Sequence, residues 1–218
     1  MNINNQLIFE FKSIKNFNKE DYFVSESNKY AYKILKKWPR WSKKIVNIYG
    51  EKYSGKTHLA NIFKKKANGF FINSDKINND ILKQFKLYET IIIDGFYNEV
   101  EEKLLYTIFN LVEQDNKFLI IFSRIPLSDF KFKLKDTESR AKNCLSVEIK
   151  APDDELIFAI IMKSFSDRQI TIDKKIINFI LNRINRSYSK IHDFIYKIDE
   201  LSLKKKKPIN FKTIKEIL

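Results

Sequence analysis

Residues 50–57 have the composition and spacing of a phosphate-binding loop. They read Gly-Glu-Lys-Tyr-Ser-Gly-Lys-Thr and fit the pattern G-x-x-x-x-G-K-T. The backbone N–H groups of such a loop converge on the phosphates of a nucleotide, and its glycines allow an approach that side chains would block. Lys56 is expected to reach the β- and γ-phosphates, and the Thr57 hydroxyl to bind Mg²⁺. The expected residues for binding ADP or ATP are Gly50, Glu51, Lys52, Tyr53, Ser54, Gly55, Lys56, Thr57 and His58.

Two further polar residues each end an apolar run. Asp94 follows the run 90–93, and a carboxylate at the end of a buried strand beside a phosphate loop would hold Mg²⁺, usually through water. Ser123 ends another run, where its hydroxyl could act in catalysis by contacting the γ-phosphate or the attacking water. Gly95, after Asp94, cannot polarise that water as the second acid of many ATPases does. We therefore expect weak intrinsic hydrolysis.

These residues fall on alternating strands and helices. The apolar runs predicted to be strands are 45–49, 69–72, 90–93, 117–123 and 145–150. The amphipathic stretches predicted to be helices between them are 27–37, 58–67, 76–87 and 103–114. This alternation predicts an α/β fold with a parallel, doubly wound sheet and the nucleotide at its carboxyl edge.

Beyond Pro152 the pattern changes to helices alone. The helical stretches are 153–168, 173–184, 189–203 and a final turn at 211–218, with Asp153 and Asp173 as expected N-caps and Ser189 as a weaker one. We therefore expect an N-terminal tail at 1–22, a nucleotide-binding core at 23–151 and a small helical domain at 152–218.

Composition narrows the function classes. The chain of 218 residues has a net charge of +14, but only six of its 41 basic residues are arginine and the lysines are spread along it. This distribution allows non-specific polyanion binding and does not indicate sequence-specific DNA reading. The single cysteine, Cys144, excludes an internal disulfide, and the sequence has neither a signal peptide nor a membrane span. We expect a soluble, cytoplasmic protein without membrane contact.

The tail carries an isolated apolar segment, Gln-Leu-Ile-Phe-Glu-Phe, at residues 6–11. One interpretation is a short linear motif, in which Gln6 fixes orientation while Leu7 and Phe9 fill an apolar pocket of a partner. The other is an edge strand of the domain. The residues themselves favour neither.

Several segments together resemble a known family. A phosphate-binding core followed by a helical lid looks like the AAA+ ATPases, and GEKYSGKTHL followed by IIID is similar to their DnaA branch. The stretch from residue 139 to residue 203 also resembles that branch. Within it, the chain is most similar to the Hda family, which inactivates replication initiation. The shared features are the tail segment, the Trp38-Pro39-x-Trp41 turn and the end of the chain after the lid, without a helix-turn-helix domain.

The resemblance implies a mechanism and partners. It implies that Gln6, Leu7 and Phe9 bind the sliding clamp of DNA polymerase III, so that DNA is reached indirectly through the clamp. It also implies that Arg140 matches the family's arginine finger and acts in trans on ATP bound to DnaA, with an effect of about 10³–10⁵ on the rate. On composition alone, an ion pair with a neighbour such as Glu138 is the alternative for Arg140.

The chain also departs from the family pattern. Ser189 stands near the position expected for the lid arginine, and Arg186 lies one turn earlier. Together with Gly95, this favours a nucleotide, ADP in particular, that is retained rather than turned over. His58 and His192 are expected to pack or to lie at the surface, because neither has the companions of a catalytic triad.

Two other functions remain open. A DnaA-like AAA+ ATPase that loads a replicative helicase would bind the helicase and would not depend on the tail. A small-molecule kinase would need an acceptor pocket, which residues 95–150 do not suggest. A homo-oligomer is possible under each hypothesis.

Overall fold

The structure of the chain is a computed structural model that describes residues 17–97, 100–167, 172–205 and 211–217, with the backbone alone for 202–205. A parallel sheet with helices on both faces is followed by a group of helices.

Five apolar segments form the sheet, in the spatial order β2-β3-β4-β1-β5. The strands are β1 (Ile45–Gly50), β2 (Phe70–Asn73), β3 (Thr90–Phe96), β4 (Phe118–Ser123) and β5 (Leu145–Ile149). All neighbouring strands pair in parallel. Every residue of β4 is buried, as expected for a continuous apolar strand covered on both faces. The predicted α/β fold is confirmed.

Helices cover both faces of this sheet. They are α1 (Lys29–Lys37), α2 (Lys56–Ala67), α3 (Ile81–Phe85), α4 (Glu102–Gln114) and α5 (Lys135–Asn143). Successive residues of a strand point to opposite faces, so that Ile92 packs in one core with α1 and α2, and Ile91 and Ile93 pack in the other with α4. The helix α5 was not predicted, because its sequence is mixed and its apolar face is narrow.

The remaining helices form the lid. They are α6 (Asp154–Ser166), α7 (Lys174–Leu181), α8 (Tyr188–Lys205) and α9 (Phe211–Ile217), and they share an apolar core. The predicted N-caps are confirmed at Asp153, which accepts from the N–H of Leu156 at 2.9 Å, and at Asp173, which accepts from Lys175 N–H at 2.8 Å. The other oxygen of Asp153 accepts from Ser27 N–H at 3.0 Å.

The strand order places the predicted site residues at one edge. β1 and β3 both pair with β4, so the carboxyl ends of these three strands lie side by side. Gly50, Asp94 and Ser123 therefore come together at that edge, as expected for a doubly wound sheet. Within the described part of the chain, every helix is too short or too polar to cross a bilayer.

Candidate functional site

The phosphate loop, residues 50–57, connects the end of β1 to the start of α2. A Cβ on Gly50 would lie 2.8 Å from the Ile149 carbonyl oxygen, and Gly55 has a φ of 85°, so both positions require glycine. The Lys56 ammonium donates to the carbonyls of Gly50 at 2.8 Å and Glu51 at 2.7 Å. The loop therefore curls around its own lysine at the positive end of α2, where phosphates bind.

The electrostatics of Lys56 follow from this position. Burial lowers the pKa of Lys56 to about 8, and the nearby charge of Arg124 acts in the same direction, against the opposing effects of Asp94 and Glu51. A buried cation at this position gains from an anionic ligand, because the ligand compensates for lost hydration.

Thr57 and Asp94 meet at the same edge. The Thr57 hydroxyl donates to Asp94 Oδ2 at 2.7 Å, and Asp94 is 5% exposed. Burial raises the pKa of Asp94, while the hydrogen bonds from Thr57 and Gly95 and the charge of Lys56 partly oppose this. A hydroxyl and a carboxylate are oxygen donors that suit Mg²⁺, with phosphate oxygens and water completing its shell. The residues present therefore fit this ion.

Two cavities adjoin the loop. The phosphate cavity, of 930 Å³, is bounded by the loop, by residues 94–97 at the end of β3 and by the end of β4. The base cavity, of 680 Å³, lies between the loop, residues 20–24 and the lid. Tyr22, Phe23 and Ile160 line the base cavity, and His58 lines both. Together the cavities offer charged groups, which suit the phosphates of a nucleotide, and aromatic groups, which suit its base.

Ser123 lies at the edge of the phosphate cavity but is 1% exposed. Its hydroxyl donates to the Ile125 carbonyl at 2.6 Å and accepts from the Asn47 amide at 2.9 Å. Asn47 also accepts from Leu127 N–H at 2.9 Å, so one buried amide holds the turn after β4 in place. The role of Asn47 was missed because a polar residue within an apolar strand has many explanations. A contact between Ser123 and a phosphate stays a prediction.

Arg140 lies on α5, away from this cavity. Its guanidinium pairs with Glu113 at 2.5 Å and lies over the Tyr106 ring, and its side chain is 24% exposed. The alternative partner considered from the sequence, Glu138, instead pairs with Lys142. Among the described residues that line the phosphate cavity, Arg140 is absent. The partly buried Arg140 side chain therefore lies between α4 and α5.

The opposite side of the loop contacts the lid, which the sequence did not predict. The Glu51 carboxylate accepts from the Ser187 hydroxyl at 2.6 Å and from the N–H groups of Tyr188 and Ser189, each at 3.0 Å. Burial raises the pKa of Glu51, but these hydrogen bonds outweigh it and leave the pKa lowered. Glu51 of the phosphate loop thus caps α8 of the lid, and a negative charge at this end of a helix is stabilising.

A ring contact extends the Glu51–α8 contact by one turn. Tyr53 has a φ of 69° and stacks on His192 of α8, with ring centroids 3.7 Å apart and planes at 5°. The other histidine, His58, makes ring contacts with Phe17 and Tyr22, and burial lowers its pKa. Both histidines pack against aromatic rings.

The lid contributes no arginine to the phosphate cavity within the residues described. Arg186, considered as a substitute for the family's lid arginine, pairs with Asp154 at 2.9 Å and is not among the lining residues. Ser189 is engaged by Glu51. The tail residues Gln6, Leu7 and Phe9 lie outside the described residues, so their assignment stays a prediction.

The chain combines a phosphate loop after the first strand of the sheet, an aspartate at the end of β3 and a helical lid, which are the features of the AAA+ fold. The region 153–218 matches the family model described as "Hda, lid domain". The chromosomal replication initiator protein DnaA of Borreliella afzelii is 25% identical over 211 residues, covering 84% of this chain and 43% of DnaA. The chain thus spans less than half the length of this relative.

Solved structures show the same fold. Domain III of DnaA from Thermotoga maritima superposes with a TM-score of 0.70 at 18% identity, covering 93% of this chain and 95% of that one. AMPPCP-bound DnaA from Aquifex aeolicus gives a TM-score of 0.70 at 22% identity, covering 90% and 68%. The chain therefore has the fold of the DnaA-type AAA+ proteins, is similar in sequence to DnaA, and carries a lid that matches the Hda lid domain.

Proposed function

We propose that this protein is a nucleotide-binding regulator of replication initiation that stimulates hydrolysis of ATP bound to DnaA. The observation that carries the proposal is the position of Arg140 on α5, where it pairs with Glu113 of α4 and lies apart from the chain's own phosphate cavity. An arginine placed in this way serves the nucleotide of a neighbouring molecule more readily than its own. The Hda-type lid and the DnaA relatives support DnaA as that neighbour.

The chain's own site binds ADP or ATP with Mg²⁺ in this proposal. The loop N–H groups and Lys56 hold the phosphates, and Thr57 and Asp94 hold the ion, which neutralises phosphate charge when bound. The aromatic residues of the base cavity hold the base. Since Gly95 leaves no second acid beside Asp94, the bound nucleotide orders the lid and the core instead of being turned over.

Arg140 acts in trans by stabilising charge that develops on the γ-phosphate held by DnaA. Its stacking over Tyr106 and its pairing with Glu113 limit the orientations of the guanidinium before docking. An arginine keeps its charge at every accessible pH and offers a planar, bidentate set of donors to phosphate oxygens. The Arg140 guanidinium is therefore already oriented when it contacts DnaA.

The Arg140→Ala variant tests the role of this residue. DnaA loaded with ATP is incubated with sliding clamp on DNA, and we expect stimulated hydrolysis to fall by about 10³-fold. Arg183→Ala is the matched control, because Arg183 stacks on Phe179 within the lid. An unchanged rate with Arg140→Ala contradicts the proposal.

The tail connects the regulator to the sliding clamp in this proposal, and DNA is reached through the clamp. A pull-down on purified clamp with Gln6→Ala and Leu7→Ala should lose binding, while nucleotide affinity stays unchanged. Retained clamp binding excludes the tail as the contact. If the protein instead binds a replicative helicase and loads it without the tail, the helicase-loader function replaces the one proposed here.

A further inference from the structure

A groove lies between α1, α2 and residues 17–20, and its volume is 580 Å³. This volume is within the range of about 300–1,000 Å³ that is typical of ligand pockets. Of the described residues that line this α1–α2 groove, Phe17 also lines the phosphate cavity and Glu20 also lines the base cavity. The groove therefore adjoins the nucleotide site but is a separate space.

The wall of the α1–α2 groove is apolar. It is formed by Phe17, Tyr32, Leu35, Ile62 and Phe63. Leu35 and Phe63 are buried, and the other three are half-buried. A ligand that covers the half-buried side chains removes apolar surface from water, which is favourable.

The rim of the groove is positively charged. One carboxylate, that of Glu20, lines the groove. The lysines that line it are all exposed and are Lys19, Lys36, Lys65 and Lys66. In the part of the chain that the structure describes, none of these lysines forms an ion pair. The Lys66 ammonium instead donates to the carbonyls of Leu35 at 2.9 Å and Lys36 at 2.6 Å.

The charge of this surface follows from the sequence. The helices α1 and α2 lie within residues 27–50 and 52–74, and neither stretch contains an aspartate or a glutamate. Both helices have lysines in their last turn, and the Lys66 contacts bring the two ends together. Burial and the nearby charge of Lys36 lower the pKa of Lys66. Such a cluster of cations favours an anionic ligand, which offsets their mutual repulsion.

Two rings of the groove are already covered by other side chains. The Tyr32 ring stacks on Tyr22 with centroids 6.0 Å apart, and the Lys36 ammonium lies 4.9 Å from its centroid. Phe63 is fully buried and stacks on Trp41. Single-stranded nucleic acid is bound by bases that stack on exposed rings, so this wall favours apolar side chains over bases.

Duplex DNA, a membrane and the chain's own tail each fit the groove less well. A duplex would pair its phosphates with the lysines and leave the apolar wall uncovered. A bilayer takes up apolar side chains that project from a protein, whereas these line a concave groove. Residues 1–16 carry two lysines and one glutamate, so the tail has the same sign of charge as the rim.

We propose that the α1–α2 groove binds a segment of a partner protein in which acidic residues alternate with apolar ones. The apolar side chains of the segment cover Tyr32 and Ile62, and its carboxylates pair with Lys36 and Lys65 at the rim. Burial of the apolar groups supplies affinity, and the ion pairs speed association and select the partner. The proposal adds a contact surface to the function proposed above and depends neither on bound nucleotide nor on Arg140.

Peptide display tests the chemistry of the ligand. Random peptides displayed on phage are selected on the full chain, and Lys65→Glu is used for counter-selection. We expect the selected peptides to carry aspartate or glutamate beside leucine, isoleucine or phenylalanine. Failure to select any peptide, or selection of peptides without an excess of acidic residues, overturns the proposal.

Fluorescence anisotropy then measures the affinity of the most enriched peptide, synthesised with a fluorescein label. Lys65→Glu should weaken binding about tenfold, because an ion pair becomes a repulsion. Lys64→Glu is the matched control on the same helix, because the Lys64 ammonium lies over the Phe71 ring and does not line the groove. Its affinity should stay within about twofold of wild type. Equal weakening in the two variants would mean that net charge governs binding, and the proposal would fail.

Two further measurements locate the peptide. The two tryptophans of the chain, Trp38 and Trp41, pack on Phe63 of the groove wall, so the unlabelled peptide, made without tryptophan, should change their emission. Unchanged emission places the peptide elsewhere and overturns the assignment. Duplex DNA and phosphatidylglycerol vesicles are added as competitors. If either binds in place of the peptide more tightly than the peptide itself, the groove belongs to that ligand and not to a protein segment.

Discussion

The two sides of the phosphate loop differ in what they bind. On the core side, Lys56 and Thr57 face a cavity with Asp94 and Arg124, where charged groups are available to a ligand. On the lid side, Glu51 and Tyr53 are engaged by the lid through hydrogen bonds and ring stacking. The core side of this short loop therefore faces the cavity for a ligand, and its lid side holds the lid in place.

Among the described residues of the lid, no arginine lines the phosphate cavity, so the lid contacts the loop in another way. The lid does not need to reach the nucleotide, because Glu51 reaches the lid. Movement of the loop on phosphate binding would shift the carboxylate that caps α8. The position of the lid can then respond to the site through Glu51 and through Tyr53, which stacks on His192.

Removing the charge of Lys56 should have the largest effect, which is a loss of nucleotide affinity. Lys56→Ala leaves the phosphates without the one ammonium that the loop surrounds, and we expect ADP affinity to fall about 100-fold or more. Calorimetry measures the loss. Lys64→Ala, an exposed lysine on the same helix, should bind as wild type does. Comparable weakening in both variants would mean that net charge, and not the loop, governs binding.

Removing the Glu51 carboxylate should have the next largest effect, which is a loss of stability on the lid side of the loop. Glu51→Ala deprives the α8 N-terminus of three hydrogen bonds, so we expect unfolding free energy to fall by about 1–3 kcal/mol. Urea unfolding gives this value, and hydrogen exchange should quicken at the amides of Tyr188 and Ser189. Glu26→Ala, an exposed ion-pair variant, is the control. Unchanged exchange at α8 would show that Glu51 does not hold the lid.

The same contact predicts a pH dependence. Because the pKa of Glu51 is lowered in the folded chain, its charge contributes stability that is fully present above the unfolded value of about 4.3. That contribution is lost as the pH falls through the folded pKa. The stability difference between wild type and Glu51→Ala should therefore shrink below about pH 4. A difference that stays constant from pH 7 to pH 3 would contradict a charged contact.

The stack of Tyr53 on His192 should give the smallest effect. His192→Ala should lower stability by about 0.5–1.5 kcal/mol, whereas His192→Phe keeps a ring and should stay near wild type. Thermal unfolding monitored by circular dichroism compares them. Tyr196→Ala, an exposed residue on the same helix, is the control. Equal losses for His192→Ala and His192→Phe would remove stacking as the cause.

The core side was predictable from the sequence and the lid side was not. The phosphate loop is continuous in the chain, and Asp94 follows an apolar run that can only be a buried strand. The partners of Glu51 lie more than 130 residues away, so no local pattern connects them. An acid at a variable loop position gives no signal until the lid is in place.

The contacts of two arginines were also not predictable from the sequence. Arg140 was selected through the family resemblance, but its partner Glu113 belongs to a different helix and could not be predicted from spacing. Arg124 was overlooked because it follows Ser123, the residue that the motif selects. Its placement depends on the strand order β3-β4-β1, which brings the end of β4 between the loop and the end of β3.

Asp153 joins two walls of the base cavity. One carboxylate oxygen of Asp153 caps the N-terminus of α6. The other oxygen accepts from the backbone N–H of Ser27, in the segment that leads into α1. Asp153 thus joins the lid to the N-terminal segment, and the ion pair of Lys163 with Asp21 joins them a second time. Rotation of the lid relative to the N-terminal segment would widen or narrow the base cavity between them. A change in the angle of the lid would therefore also change how well the base fits.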